Sequence, residues 1–419
     1  MKQFRTLLND NWLFTKLDNN RSTPDNLSKR GFTPITLPHA NEEVPLNYFS
    51  EKRTQFISWY KRELLTPDLP EGGRVFIDFD GVMMAAEVFV NGQQAHTHRG
   101  GFVGFSVDAT PFLKSKPGSK NSLTVRVDSR LLPDIPPCGK VMDFQVFGGI
   151  YRDVWLRVTP GIYFTDLFVT TPAPLDRLKT VATTATVHNS IDADFTGSMR
   201  LDLLSSDGLL IASSELVAIN LSANSVAEIE TSISKLKGIK LWDVDHPNMY
   251  KARISLLAGR KVIDRYESKF GFREVVFTKE GPFLLNGKPL KLLGLNRHQI
   301  FPYIGAAAPV RLQRRDADIV KYELGSNIVR TSHYPQSPHF LDRCDEIGLL
   351  VFEEAPGWGH IGEKSWQDLF CRDVEYMIKR DRNHPSIILW GVRVNESPDH
   401  SELYSRTNTL ARKLDPSRQ

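Results

Sequence analysis

The stretch from Asn383 to Glu396 reads NHPSIILWGVRVNE. Asn383, His384 and Pro385 stop a helix, because proline cannot continue one and disfavours helix in the residue before it. Ser386 to Val394 is then almost unbroken apolar, with Ile387, Ile388, Leu389, Trp390, Val392 and Val394. A short run of that kind, without strict alternation, suits a strand of a parallel sheet buried on both faces. Arg393 is the misfit within it. Polar residues return at Asn395 and Glu396, the carboxyl end of the strand, and that end carries the chemistry in barrels and open α/β sheets.

Outward from this strand, the chain from Gly281 onward repeats strand and helix. Leu290 to Leu295 reads as a first strand. Pro309 opens a helix with Leu312, Ile319, Val320 and Leu324 on one face, closed by Gly325. Ser326 to Thr331 is a second strand, Ser337 to Ile347 a second helix, and Leu349 to Phe352 a third strand. Trp366, Phe370, Val374, Met377 and Ile378 form the apolar stripe of a third helix. Leu403, Leu410 and Leu414 mark a fourth, stopped by Asp415-Pro416. Four β/α units are half of what closes a barrel, so residues 273–419 read as the N-terminal half of a TIM (β/α)8 barrel. An open half leaves sheet edges exposed, so the polypeptide is expected either to be a fragment or to be completed by something else.

Upstream the rhythm is all β. Residues 1–160 carry short strand-like runs at Gln55–Leu64, Gly73–Phe79, Ala86–Val90, Ser122–Val127 and Arg152–Val158, with a turn at Asn91-Gly92. These predict a jelly-roll β-sandwich whose core takes the dense aromatics, Trp12, Phe14, Trp59, Tyr60, Phe76 and Phe79. Residues 161–272 alternate more regularly, as at Lys179–Val187, Ser198–Leu204 and Ala227–Ile233, and fit one immunoglobulin-like β-sandwich. That segment offers no catalytic constellation and reads as a spacer.

Composition limits the function classes. With 419 residues the chain should divide into two or three domains. Apolar content of 41% and charged content of 24% describe an ordinary globular protein. The 53 basic and 49 acidic residues balance too closely for a nucleic-acid or membrane partner. Cys138, Cys344 and Cys371 are too few for a disulfide framework and are expected as buried thiols. The N-terminal MKQFRTLLNDNWLF has no apolar core of signal-peptide length, which makes a cytoplasmic location the expectation.

The polar residues after the four strands converge. Asn296, Arg297, His298 and Gln299 follow the first; Arg330, Thr331, Ser332, His333 and Tyr334 follow the second. Glu353 and Glu354, then Trp358 and His360, follow the third, and Asn395 and Glu396 the fourth. One histidine at a strand end is usually structural. Four consecutive polar clusters at the same end point to a site.

At this point the chain resembles glycoside hydrolase family 2, the family of β-galactosidases, β-glucuronidases and β-mannosidases. The motifs that carry the resemblance are FGGIYRDV (147–154), LLNGKPLKLLGLNRHQ (284–299), NIVRTSHYP (327–335), CDEIGLLVFEEAPGW (344–358) and RNHPSIILWGVRVNES (382–397). The order of jelly-roll, immunoglobulin-like and barrel domains agrees with the boundaries drawn from pattern. The resemblance implies retaining hydrolysis by two glutamates, one an acid/base and the other a nucleophile that forms a covalent glycosyl-enzyme. Glu396 matches the acid/base and Asn395 the residue that bonds the sugar 2-hydroxyl. His333 matches a pocket residue, and Asp143 an aspartate lent by the jelly-roll domain. His298 and Trp358 join them as substrate-binding residues.

Departures from the family's pattern matter equally. Its nucleophile lies on a later barrel strand. Glu402 sits on a helix, and Glu353 and Glu354 are expected to support the pocket. Some relatives place magnesium after the third strand; here Trp358 stands where the acidic ligand would be, so neither a metal nor another cofactor is predicted by this route. Two readings follow: a β-glycosidase, most resembling β-galactosidases with β-glucuronidase as the alternative, or a non-catalytic carbohydrate-binding module. The expected partners are a carbohydrate and either a second copy of the chain or a completing C-terminal chain.

Overall fold

The computed structural model describes residues 4–16, 27, 31–45, 47, 50–139 and 142–418. The first two domains are sandwiches because their strands alternate. Arg74–Phe79 and Ala85–Val90 each bury every second side chain. A six-stranded and a four-stranded antiparallel sheet enclose Trp12, Tyr60, Ile77, Phe79, Val88 and Val125. In the second domain Lys179–Asn189 alternates along its whole length. Its three-stranded sheet faces a five-stranded one across a core that includes Phe164, Val187, Leu201 and Ile254. All three cysteines are buried, and among the described residues no helix is long and apolar enough to cross a membrane.

The third region changes to a parallel sheet of four strands in sequence order, Gly294–Asn296, Ile328–Arg330, Leu350–Glu354 and Ile387–Gly391. Four helices follow the strands: α1 (Val310–Asp318), α2 (Pro338–Ile347), α3 (Lys364–Asp381) and α4 (Ser401–Leu414). Val329, Val351 and Ile387 meet Phe340, Phe370 and Met377 between sheet and helices.

Three elements differ from expectation. The first strand begins at Gly294, not Leu290. Lys288 and Pro289 belong to an antiparallel hairpin with Phe283–Leu285, and Leu290 and Leu292 pack with Trp242 beneath the sheet. Glycine is required at 294, because the Ile328 carbonyl oxygen lies 1.9 Å from where a Cβ would stand. Helix α1 buries Gln313 and Ala317, and it runs into a π-turn at Ile319–Glu323. There Leu324 N–H donates to the Ile319 carbonyl at 2.9 Å. The extra residue in that turn rotates Leu324 outward, where it is 58% exposed.

The fourth strand ends at Gly391, where pairing with Glu354 runs out, not at Val394. The chain then leaves the sheet, which explains Arg393: it is exposed, pairs with Asp399 at 2.6 Å and lies over the Tyr404 ring.

The domains are joined through buried polar contacts. Arg152 donates from Nη2 to the Pro335 carbonyl at 2.6 Å, and Trp366 Nε1 donates to the Cys138 carbonyl at 3.0 Å. Asn383 Nδ2 donates to the Leu167 carbonyl and to Ser268 Oγ, tying the base of the fourth strand to the second domain.

Candidate active site

The second strand ends with Arg330 and delivers His333 and Tyr334 after a tight turn. The third ends with Glu354. Beyond the fourth, the Asn395 backbone pairs with Trp358, and the Gly359 N–H donates to the Asn395 carbonyl at 2.8 Å. Three strand ends are therefore linked by side chains. Arg330 Nε donates to Glu354 Oε1 at 2.5 Å and Arg330 Nη2 to Asn395 Oδ1 at 2.7 Å. His333 Nδ1 lies 2.8 Å from Glu354 Oε2. From the first strand's loop, His298 Nδ1 reaches the Tyr334 hydroxyl at 3.4 Å.

An aromatic wall completes the mouth, and the first domain supplies its centre. Phe144 packs against His298, His333, Tyr334 and Trp358, with ring centroids 5.3, 6.1, 5.4 and 6.4 Å away. The same apolar cluster runs on through Phe102, Tyr151 and Ala306, so the loop is seated firmly. Asp143, beside Phe144, is exposed at this mouth. Burial pushes the His298 ring below its ordinary range and the neighbouring His333 adds to this, while the Asp143 charge opposes both.

Glu396 is exposed and sits in a turn with φ of 52°, the left-handed region that non-glycine residues seldom adopt. Such backbone is concentrated at functional positions. Asn395, His333, His298, Trp358 and Asp143 are thus brought to one mouth, and Glu396 follows directly from Asn395.

Glu353 and Glu354 are neighbours with opposite fates. Glu354 points to the mouth, but both its oxygens are engaged. Glu353 faces the helices, fully buried beside the Asp381 carboxyl, and the Arg380 guanidinium is 3.6 Å away. Burial, and then the Asp381 charge, hold its carboxyl well above the usual carboxylate range. Arg297 and Gln299, which flank His298, are structural. Arg297 is buried against Asp316, Gln313 and the Phe340 ring, and Gln299 bonds the Ala306 carbonyl. Sequence reasoning counted Arg330 and Tyr334 in the cluster after the second strand without giving either a role, and it passed over Phe144. Arg330 stands at a strand end inside the RTSHYP motif, and that position was the available signal. Nothing local marked Phe144.

One further group of metal-ligand types exists among the described residues. Oxygen and nitrogen atoms of Asp342, Asp345 and His384 lie within 4.8 Å of one another. It is at the opposite end of the fourth strand from the mouth, and His384 and Asp345 already bond each other at 2.6 Å.

Three family models match in series: Glycosyl hydrolases family 2, sugar binding domain, over residues 4–160; Glycosyl hydrolases family 2 over 162–273; and Glycosyl hydrolases family 2, TIM barrel domain, over 276–419. The chain belongs to glycosyl hydrolases family 2. Among members of this family, a β-galactosidase of Thermoanaerobacter pseudethanolicus is 42% identical over 416 residues, which is 99% of this chain and 55% of that protein. A β-galactosidase of Thermoanaerobacterium thermosulfurigenes is 42% identical over 98% of this chain and 57% of its own length. The crystal structure of a Bacteroides uniformis β-glucuronidase superposes with a TM-score of 0.89 at 28% identity, covering 100% of this chain and 52% of that one. The chain therefore spans about half the length of the family 2 proteins it matches.

Proposed function

We propose that these residues form part of a retaining β-glycosidase acting on terminal β-linked sugars, with β-galactosides as its substrates. The observation that carries the reading is the bonded network at the mouth, where Arg330, His333, Glu354 and Asn395 from three strands meet the Phe144 loop of the first domain. Glu396 follows from this network into solvent. In the proposed reaction Glu396 protonates the departing glycosidic oxygen and then takes a proton from water. Asn395 holds a sugar hydroxyl, and the aromatic wall covers the sugar's apolar face. Retention also needs a nucleophile about 5–5.5 Å from the acid/base. Glu354 is occupied and Glu353 is sealed under the helices, so this reading assigns the nucleophile to a later strand outside these residues.

Galactoside is favoured by the two relatives at 42% identity. Glucuronide is the second reading, because the structural neighbour with a TM-score of 0.89 is named a β-glucuronidase. The test is a panel of p-nitrophenyl β-galactoside, β-glucuronide and β-mannoside, assayed on the longest polypeptide that the reading frame encodes. Turnover is expected with the galactoside above the others. Preference for the glucuronide would transfer the proposal to the second reading, and inertness toward all three would leave a carbohydrate-binding module.

A further inference from the structure

Glu354 bonds two groups at the mouth, Arg330 through Oε1 and His333 through Oε2. Its side chain is 6% exposed, and its backbone N–H donates to Thr331 Oγ1 at 3.0 Å, which fixes the residue on both sides. Each bond it makes has a polarity. An ionised carboxylate only accepts, and a guanidinium only donates. Facing Glu354 Oε2 at 2.8 Å, His333 Nδ1 has to carry the hydrogen. In a neutral imidazole the other nitrogen, Nε2, is then a bare acceptor. Among the described residues Nε2 has no hydrogen-bond partner, and the ring stands among His298, Phe144 and Trp358. The second branch works the same way. Arg330, anchored by Glu354 Oε1, donates to Asn395 at 2.7 Å. The amide must turn its oxygen to Arg330 and its NH₂ away.

We propose that Glu354 is a positioning residue that sets the hydrogen-bond polarity of the mouth, making His333 an acceptor and Asn395 a donor. A ligand matched to that pair has one hydroxyl that gives its hydrogen to His333 and a second oxygen that receives one from Asn395, as neighbouring sugar hydroxyls can. The sugar rests on the function proposed above. The tautomer does not.

The experiment is ¹⁵N NMR of the histidine-labelled protein, prepared as the longest polypeptide that the reading frame encodes, at a pH where the ring is neutral, with His333 assigned by its loss in His333→Gln. The expected signature is a protonated Nδ1 and a bare Nε2, opposite to the tautomer that free imidazole side chains prefer. In Glu354→Gln the amide oxygen must turn to Arg330, which only donates, and the NH₂ to His333. The proton should therefore move to Nε2. If Glu354→Gln does not fold, the wild-type spectrum decides by itself. A wild-type ring protonated at Nε2, or an unchanged ring in a folded Glu354→Gln, overturns the proposal.

A second readout is kinetic, on the longest encoded polypeptide. Glu354→Gln should lower kcat/KM for its best glycoside by about tenfold or more, mainly through KM, as expected for lost substrate binding. An exchanged tautomer with unchanged kinetics removes the role in recognition. Absence of wild-type turnover would instead refute the glycosidase reading, and the tautomer result would stand.

Discussion

Three glutamates near one sheet end show how environment divides like residues into unlike roles. Glu353 is buried beside Asp381 and Arg380, and burial, then the Asp381 charge, raise its carboxyl well above the usual carboxylate range. Glu354 has both its oxygens engaged, one by an arginine and one by a histidine. Glu396 alone stands exposed on a left-handed turn, free to approach a ligand. If it is the acid/base, Glu396→Gln preserves shape and removes the transferable proton. On the longest encoded polypeptide, turnover of glycosides with poor leaving groups should fall by about 10²–10⁴. Activated aryl glycosides need little protonation and should lose less in their first step. Equal rates for wild type and variant on both kinds of substrate would remove Glu396 from the mechanism. The strand-end position of Asn395 and Glu396 was legible in the sequence because an apolar run ended there abruptly. The left-handed turn was not, since no glycine or asparagine stands at 396 to signal it.

At the scale of the element, the fourth strand is fixed at its base more firmly than at its tip. Arg273 donates from Nε to the Pro385 carbonyl at 2.5 Å, and Arg418 donates to the Ile387 and His384 carbonyls at 2.7 Å each. Asp345 at the end of α2 accepts from the Ser386 N–H and hydroxyl and faces His384. Burial would lower the His384 pKa, but the Asp345 carboxylate at 2.6 Å outweighs it, helped by Asp381 and Asp342. The ring is raised from 6.5 to about 9. A folded-state pKa above the unfolded one stabilises fully below pH 6.5, and that stabilisation is lost as pH rises through about 9. The difference of 2.5 units, 9 less 6.5, corresponds to a stabilisation on the order of 3 kcal/mol. Wild-type Tm should therefore decline between pH 7 and 9.5, whereas His384→Gln should start lower and show a flatter decline. Parallel curves for the two proteins would mean that His384 is not charged in the fold. This pin was invisible in sequence, where Asn383-His-Pro read only as a helix stop. The apolar run after it was read too long, because Val392 and Val394 look like strand residues. Val394 is indeed buried, but against Gly357, outside the sheet.

Over the whole molecule, the two sandwiches and the order of strands and helices were legible because their periods, 2 and 3.6, are local properties. The meeting of domains was not, since Phe144 on Tyr334 and Trp366 on Cys138 join residues far apart in the chain. Those contacts make the first domain one wall of the mouth, while the parallel sheet itself stays open. Its outer strands, Gly294–Asn296 and Ile387–Gly391, pair on one side only. Every residue of Gly294–Asn296 is exposed, and Leu293 is 54% accessible. Unpaired parallel edges with apolar side chains invite another strand. The sandwiches enclose their own cores and should fold regardless. Expressed as residues 1–419 alone, the chain is therefore expected to self-associate through the open sheet, or to remain soluble only with a partner that covers it. It should also show no retaining turnover of β-galactosides, because of the two glutamates that end the third strand, Glu354 has both oxygens engaged and Glu353 is buried under the helices. Light scattering of the purified chain beside a p-nitrophenyl assay checks both expectations. A monodisperse monomer that hydrolyses β-galactosides with net retention would overturn them, and would require Glu354 to release Arg330 and His333 in order to attack the sugar.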